Sequence, residues 1–174
     1  MQKNKIPKVL IIAGSDSGGG AGIQADIKAV TYFKGYAMTA ITAVTSQNTK
    51  GVQAIFPLPI DHVESQINSV LEDLTPNIIK TGMLADIDLI EMIASSVGEY
   101  KLVIDPVMVA TSGDILVPEG CVSAIKETLL PKSFLTTPNL YEAELLSGQK
   151  INNTEEQIEA AFKILDLGVK NVLV

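Results

Sequence analysis

The chain has 174 residues, 47% of them hydrophobic, with a net charge of −7 and one cysteine. That balance excludes a disordered chain and a disulfide framework, and the acidic surface argues against nucleic acid, which needs a basic patch. No apolar run approaches the roughly 18 residues of a membrane-spanning helix, and "MQKNKIPK" leads straight into a strand-like run instead of a signal-peptide core, so a reducing cytoplasm is the expected setting.

"KVLIIAG" (8–14) has the pattern of a strand buried on both faces. Five glycines follow between Gly14 and Gly22, and Ile23, Ile27 and Val30 then recur at helical spacing, predicting a helix over roughly 20–33. Such a loop admits positive φ and a close ligand approach, and it feeds unpaired N–H groups into a helix start. A simple strand-to-helix turn that needs small residues for packing is the alternative. "AMTAITAVT" (37–45) and "VQAIFP" (52–57) read as strands. Asp61 opens a helix with Glu64 three residues on, as in a capping box, and Val63, Ile67, Val70, Leu71 and Leu74 form its stripe.

The rhythm continues with a strand at 77–82, a helix at 86–97 opened by Asp86, a strand at 101–106, a helix at 119–130 and a strand at 133–138. Glu142 to Leu146 is a short helix, and Thr154 with Gln157 opens another whose stripe is Ile158, Ala161, Phe162 and Leu165, with Gly168 at its exit. "KNVLV" (170–174) begins a further strand. Strands alternating with helices imply an α/β fold with a doubly wound, mostly parallel sheet and helices on both faces, in a single domain over 1–174. A parallel strand left bare at the end either lies at an edge of the sheet or, the reading favoured here, belongs to the front part of a longer fold, with a tendency to associate into a homo-oligomer.

In such sheets ligands bind outside the carboxyl ends of the strands. There the sequence collects the glycine loop with Asp16, then Thr45, Ser46, Gln47 and Asn48, then Gly82 and Met83, then Asp105, and finally Asn139 and Glu142. A Walker loop fails because no lysine follows the glycines, and a dinucleotide fingerprint lacks the acid expected about 20 residues on. His62, the one histidine, sits in the first turn of a surface helix and reads as solvated. Zinc ligands are missing. Asp105 precedes Pro106, so its carboxylate either meets a metal or phosphate-bearing ligand at the sheet edge or belongs to an ordinary Asp-Pro turn. Asn139 and Glu142, three apart at a helix start, either hold Mg²⁺ indirectly beside nucleotide phosphates or serve as cap and first-turn charge.

The segments "AGSDSGGGAGIQADIKA", "AITAVTSQNTKGV", "IKTGML", "IDPVMVATSGD" and "LTTPNLYEAELL" together resemble the hydroxymethylpyrimidine and hydroxymethylpyrimidine-phosphate kinases of thiamine biosynthesis, within the ribokinase-like superfamily, in order and spacing across nearly the whole chain. The resemblance implies ATP-dependent phosphorylation of 4-amino-5-hydroxymethyl-2-methylpyrimidine and of its monophosphate, with Mg²⁺. It implies that Gln47 hydrogen-bonds the pyrimidine, its amide offering a donor and an acceptor. Gly14, Asp26 and Met83 line that pocket, with Met83 as a soft apolar contact. Asp105 is similar to the acid near the transferred phosphate and a metal-site residue, and Asn139 with Glu142 to the family's Asn-x-x-Glu motif for metal and phosphate.

One departure stands out. The family pattern continues past a strand like "NVLV" with a lysine-glycine-glycine-histidine segment and, later, a Gly-Thr-Gly-Cys loop that serves as anion hole and catalytic centre. These 174 residues correspond to the N-terminal two-thirds of that pattern. Phosphoryl transfer rests on positioning and charge stabilisation, so the 174 residues alone are expected to show little turnover. The competing expectations are an inactive homologue that only binds ligand and a pyridoxine-type kinase, against which Gln47 and Met83 in their motifs favour the pyrimidine.

Overall fold

Strand β1 (Lys8–Asp16) sends Leu10 and Ile12 into one apolar layer and Ile11 and Ala13 into another, because successive side chains of a strand point to opposite faces. That alternation makes it the centre of a sheet covered on both sides. The computed structural model describes residues 6–108 and 117–174. After β1 come α1 (Gly22–Tyr32), β2 (Tyr36–Asn48), β3 (Gly51–Pro57), α2 (Ile60–Asp73), β4 (Ile78–Thr81), α3 (Ile87–Ser96), β5 (Lys101–Ile104), α4 (Glu119–Ala124), β6 (Leu135–Thr136), α5 (Leu140–Ser147) and α6 (Thr154–Leu165). The strand order is β3-β2-β1-β4-β5-β6. All neighbours pair in parallel except β2 and β3, which form an antiparallel hairpin. This is the expected α/β fold with a mostly parallel, doubly wound sheet and helices on both faces.

The larger apolar layer joins Leu10, Ile12, Ile79 and Leu102 of the sheet to Val63 and Ile67 of α2 and Ile90 and Ile93 of α3. The thinner one joins Ile11 and Ala13 to Ile23 of α1, flanked by Val9, Val30, Ala37 and Ile41. The parallel β1–β2 register slips between Ala13 and Ser15, so the ladder is broken at Gly14, where the ligand edge begins.

Several local expectations change. The strand expected to end at Thr45 runs on through Ser46, Gln47 and Asn48, because β3 extends the pairing to Asn48 opposite Gly51. Asp61 does not cap α2: the helix starts at Ile60 after Pro59, and the Asp61 carboxylate accepts from its neighbour His62 N–H. Helix α6 is capped by Asn153, which accepts from Glu156 N–H, one residue before the expected Thr154. Its buried face is Ala160 and Ile164, and it leaves Ile158 and Phe162 exposed, so the expected stripe is rotated. The helix over 119–130 forms but changes pitch: α turns end at Ala124, π turns occupy Ile125–Leu129 and a 3-10 turn occupies Leu130–Lys132, where Pro131 has no N–H to continue an α ladder. Strand β6 is two residues long, and the "KNVLV" segment contributes a single parallel bridge, Val172 to Thr136. Residues 109–114 of the "IDPVMVATSGD" segment lie outside the described residues.

Candidate functional site

The glycine loop is organised by Asp16, the last residue of β1. Its side chain is buried, and its two carboxylate oxygens accept from the N–H groups of Gly18 (2.7 Å), Gly20 (2.9 Å) and Ala21 (2.8 Å). Burial pushes the Asp16 carboxyl up, but the backbone N–H groups of Ala21, Gly18, Gly20 and Gly19 outweigh it and hold the group below its ordinary range. The amides expected to point at a ligand are therefore turned onto an anion of the same chain. Gln24 completes the knot, accepting from Asp16 N–H at 2.8 Å and donating to the Ser15 hydroxyl at 2.7 Å.

Gly22 opens α1 at φ +55°, and a Cβ there would run into the Gly14 carbonyl oxygen. A Cβ on Gly14 would in turn meet Met83 Cε at 3.3 Å. These two positions let the helix start press against the end of β1, which thins the wall behind the adjoining cavity.

That cavity, of about 280 Å³, opens at the carboxyl ends of β1, β2, β4 and β5, and Gly14, Asp26, Gln47, Met83 and Asp105 all line it. A second hollow of about 440 Å³ lies between the glycine loop and the β2–β3 turn and shares Asp16 and Gln47 with the first. Gln47 is held at its backbone, where its N–H donates to Ser17 Oγ (2.7 Å) and its carbonyl accepts from the same hydroxyl (2.9 Å). The Thr45 hydroxyl stands 3.0 Å from the Ser15 carbonyl and 3.1 Å from Gln47 Oε1, sharing one proton between them. Gln47 Nε2 remains a donor on the cavity wall.

Sequence reasoning passed over Lys80. It lies in β4, on the α1 face, beside Ile11 of β1 and Val103 of β5. Its Nζ donates to Asp26 Oδ2 at 2.8 Å and stands 3.1 Å from Asp105 Oδ2. A lysine inside "NIIKTG", at a position alternating with buried Ile79, was the available signal: a charge in mid-strand needs a partner.

Asn139 and Glu142 do not line the cavity. They form a reciprocal capping box at the start of α5, in which Asn139 Oδ1 accepts from Glu142 N–H at 3.0 Å and Glu142 Oε2 from Asn139 N–H at 2.9 Å. Glu142 is buried, and its other oxygen accepts from Met108 N–H at 3.2 Å. The pair thus reaches the cavity through the Asp105–Met108 segment, where Val107 N–H turns back onto the Asp105 carbonyl at 2.9 Å. Among the described residues no group of three or more histidine, cysteine or acidic side chains is set to hold a metal ion. Both Glu142 oxygens already take backbone protons, so these residues suit a cation held through water better than direct ligation.

Cys121 is buried, and burial followed by the nearby Asp86 charge pushes its thiol up, which makes it inert. No helix among the described residues is long and apolar enough to cross a membrane.

The family model described as phosphomethylpyrimidine kinase matches residues 16–174. The chain is 45% identical over 172 residues to the hydroxymethylpyrimidine/phosphomethylpyrimidine kinase of Bacillus subtilis, covering 97% of this chain and 64% of the relative. It is 47% identical over 168 residues to a thiamine biosynthesis bifunctional protein of Geobacter sulfurreducens, covering 95% of this chain and 34% of that protein. The chain therefore spans less than two-thirds of the length of these relatives. Among solved structures, phosphomethylpyrimidine kinase from Clostridium difficile superposes with a TM-score of 0.88 at 41% identity, over 97% of this chain and 74% of that one. Pyridoxal kinase from Staphylococcus aureus in complex with AMP-PCP gives 0.88 at 38%, over 97% and 63%.

Proposed function

The chain belongs to the phosphomethylpyrimidine kinase family, and from that premise we propose that it binds 4-amino-5-hydroxymethyl-2-methylpyrimidine and its monophosphate for ATP-dependent phosphorylation in thiamine diphosphate biosynthesis. One observation carries the reading: Gly14, Asp26, Gln47 and Met83, from separate stretches of sequence, converge on a single cavity of about 280 Å³ at the sheet edge. In this reading the ring lies against Gly14 and Met83, where the missing Cβ and the soft thioether admit a flat heterocycle. Gln47 pairs with the ring edge, its Nε2 donating and its Oε1 keeping a lone pair beyond the Thr45 contact. Asp26 accepts from ligand donors, and Asp105 sits where the hydroxymethyl group would receive a phosphoryl group.

ATP is the donor, a role supported by the AMP-PCP complex of the Staphylococcus aureus relative. Mg²⁺, when bound, would neutralise phosphate charge; Asn139 and Glu142 would hold it through water, with Asp105 as the acid that joins them from the cavity wall. The 174 residues act in this reading as one ribokinase-like α/β domain in the cytoplasm. A second reading, a pyridoxal-type kinase, is favoured by the equal TM-score to the Staphylococcus aureus enzyme. Calorimetric titration with the aminopyrimidine and with pyridoxal separates the two. Tighter binding of the aminopyrimidine supports the first reading, tighter pyridoxal the second, and binding of neither refutes both.

A further inference from the structure

Asp16, Asp26 and Asp105 bring three carboxylates to the cavity wall, and Lys80 is the one cation among the described residues that line it. Asp16 is already compensated by backbone amides. The other two share a single ammonium: both approach the same Nζ through Oδ2, so those oxygens stand within about 6 Å of each other, a range over which like charges disfavour one another. The side chains of Lys80, Asp26 and Asp105 are 19%, 23% and 34% exposed, so solvent screens the group only in part. The three come from three elements. Asp26 lies on α1, Lys80 on β4, and Asp105 just after β5, where its N–H donates to the Thr81 carbonyl at 3.1 Å. Among the described residues nothing else charged competes: Lys28 of α1 turns to the Gly19 carbonyl at 2.6 Å, and the strand neighbours of Lys80 are Ile11 and Val103.

We propose that Lys80 is the positioning and charge-setting residue of this cavity. Its ammonium clamps the Asp26 and Asp105 carboxylates side by side, leaving Oδ1 of each without a hydrogen bond among the described residues and available to a ligand. The clamp does two things. It fixes the helix-borne acid against the strand-borne one, so the wall is preformed before ligand arrives. It also leaves this end of the cavity with one excess negative charge, which suits a neutral heteroaromatic amine that donates hydrogen bonds. A ligand with an anionic group at this end must displace a carboxylate from Lys80.

The inference rests on the pyrimidine reading for its ligand and on geometry alone for the clamp, so two arms test it. In the first, 4-amino-5-hydroxymethyl-2-methylpyrimidine is titrated by calorimetry into wild type, Lys80→Met, Lys80→Arg and the double variant Lys80→Met/Asp105→Asn. Lys80→Met is expected to weaken binding at least about tenfold, since it leaves two like charges uncompensated. Lys80→Arg, which keeps the charge and can bridge both acids, recovers most of that loss, and the double variant recovers part. Equal binding by wild type and Lys80→Met overturns the proposal. The second arm uses no ligand: Asp105→Asn is made in the wild type and in Lys80→Met, and urea midpoints are compared. The clamp predicts a sign reversal, with Asp105→Asn lowering the midpoint when Lys80 is present and raising it in Lys80→Met. The same effect in both backgrounds means that Lys80 contributes packing only, and the proposal falls. Should wild type bind no pyrimidine, the function proposed above fails, while the second arm still decides the clamp.

Discussion

The carboxylate of Asp16 accepts the amide proton of Ala21 at 2.8 Å, and so the residue that ends the first strand also ties down the start of the first helix. The intervening glycines let four successive peptide units curl around one anion. Gly22 is where this geometry is least forgiving, because it combines positive φ with backbone-to-backbone approach to Gly14.

Gly22→Ala should therefore destabilise the protein by about 1–3 kcal/mol, the range for a non-glycine residue held in a sparsely populated conformation, with steric pressure on Gly14 adding to it. Urea unfolding measures it. An unchanged midpoint would mean that the helix start relaxes freely and does not shape the cavity.

Acid should weaken the glycine loop once the Asp16 carboxyl takes up a proton. The folded Asp16 carboxyl is held below its ordinary value, so near its unfolded value of about 3.9 the unfolded chain binds more protons than the folded one. Its contribution is complete above that pH and is lost as pH falls through the lower folded value. Asp16→Asn should lower the urea midpoint at pH 7 and flatten the fall in stability below about pH 4. A parallel downward displacement of the whole pH profile would show that the Asp16 charge is not what the amides recognise.

How much of this could be read from residues alone varies with the range of the interaction. A continuous apolar run placed β1, which is buried on both faces, and a period-3.6 stripe placed α2, whose one apolar face meets the sheet. Asp86 was legible as the cap of α3, since its side chain acts on Leu89, three residues away. The turned face of α6 was not, because Ile158 and Phe162 match the period as well as Ala160 and Ile164, and only packing chooses between them. The order of strands and loops put Gly14, Gln47 and Met83 at the ligand edge of the sheet, whereas Asp26, which lies inside α1, and the roles of all four came from motif resemblance. Lys80 was missed because its partners lie 54 and 25 positions away and were each noted without it. The glycine amides were assigned to a ligand, while the acid that claims them stood within the same quoted segment.

Glu142→Gln should cost about 1–3 kcal/mol, because a neutral amide has one acceptor oxygen in place of the two that now take the Asn139 and Met108 backbone protons. The same variant should loosen the Asp105–Met108 segment, read as faster amide exchange at Met108. Wild-type stability and exchange would leave Glu142 without a positioning role.

Gln47→Ala should weaken binding of the aminopyrimidine by about 1–3 kcal/mol, the usual penalty when a partner is removed from a polar group in an enclosed site. Calorimetry reads it, with circular dichroism to verify that β2 and its Ser17 tether persist. Unchanged affinity would remove Gln47 from the binding wall.

A crystal structure of the chain with 4-amino-5-hydroxymethyl-2-methylpyrimidine would show whether the hollow walled by Gly14, Asp26, Gln47 and Met83 is a pyrimidine pocket. The ring is expected against Gly14 and Met83, with a Gln47 amide atom within about 3 Å of its polar edge and the hydroxymethyl group toward Asp105. Density for the ring in the neighbouring hollow beside Asn48 and Lys50, or nowhere on the sheet edge at saturating ligand, would contradict it.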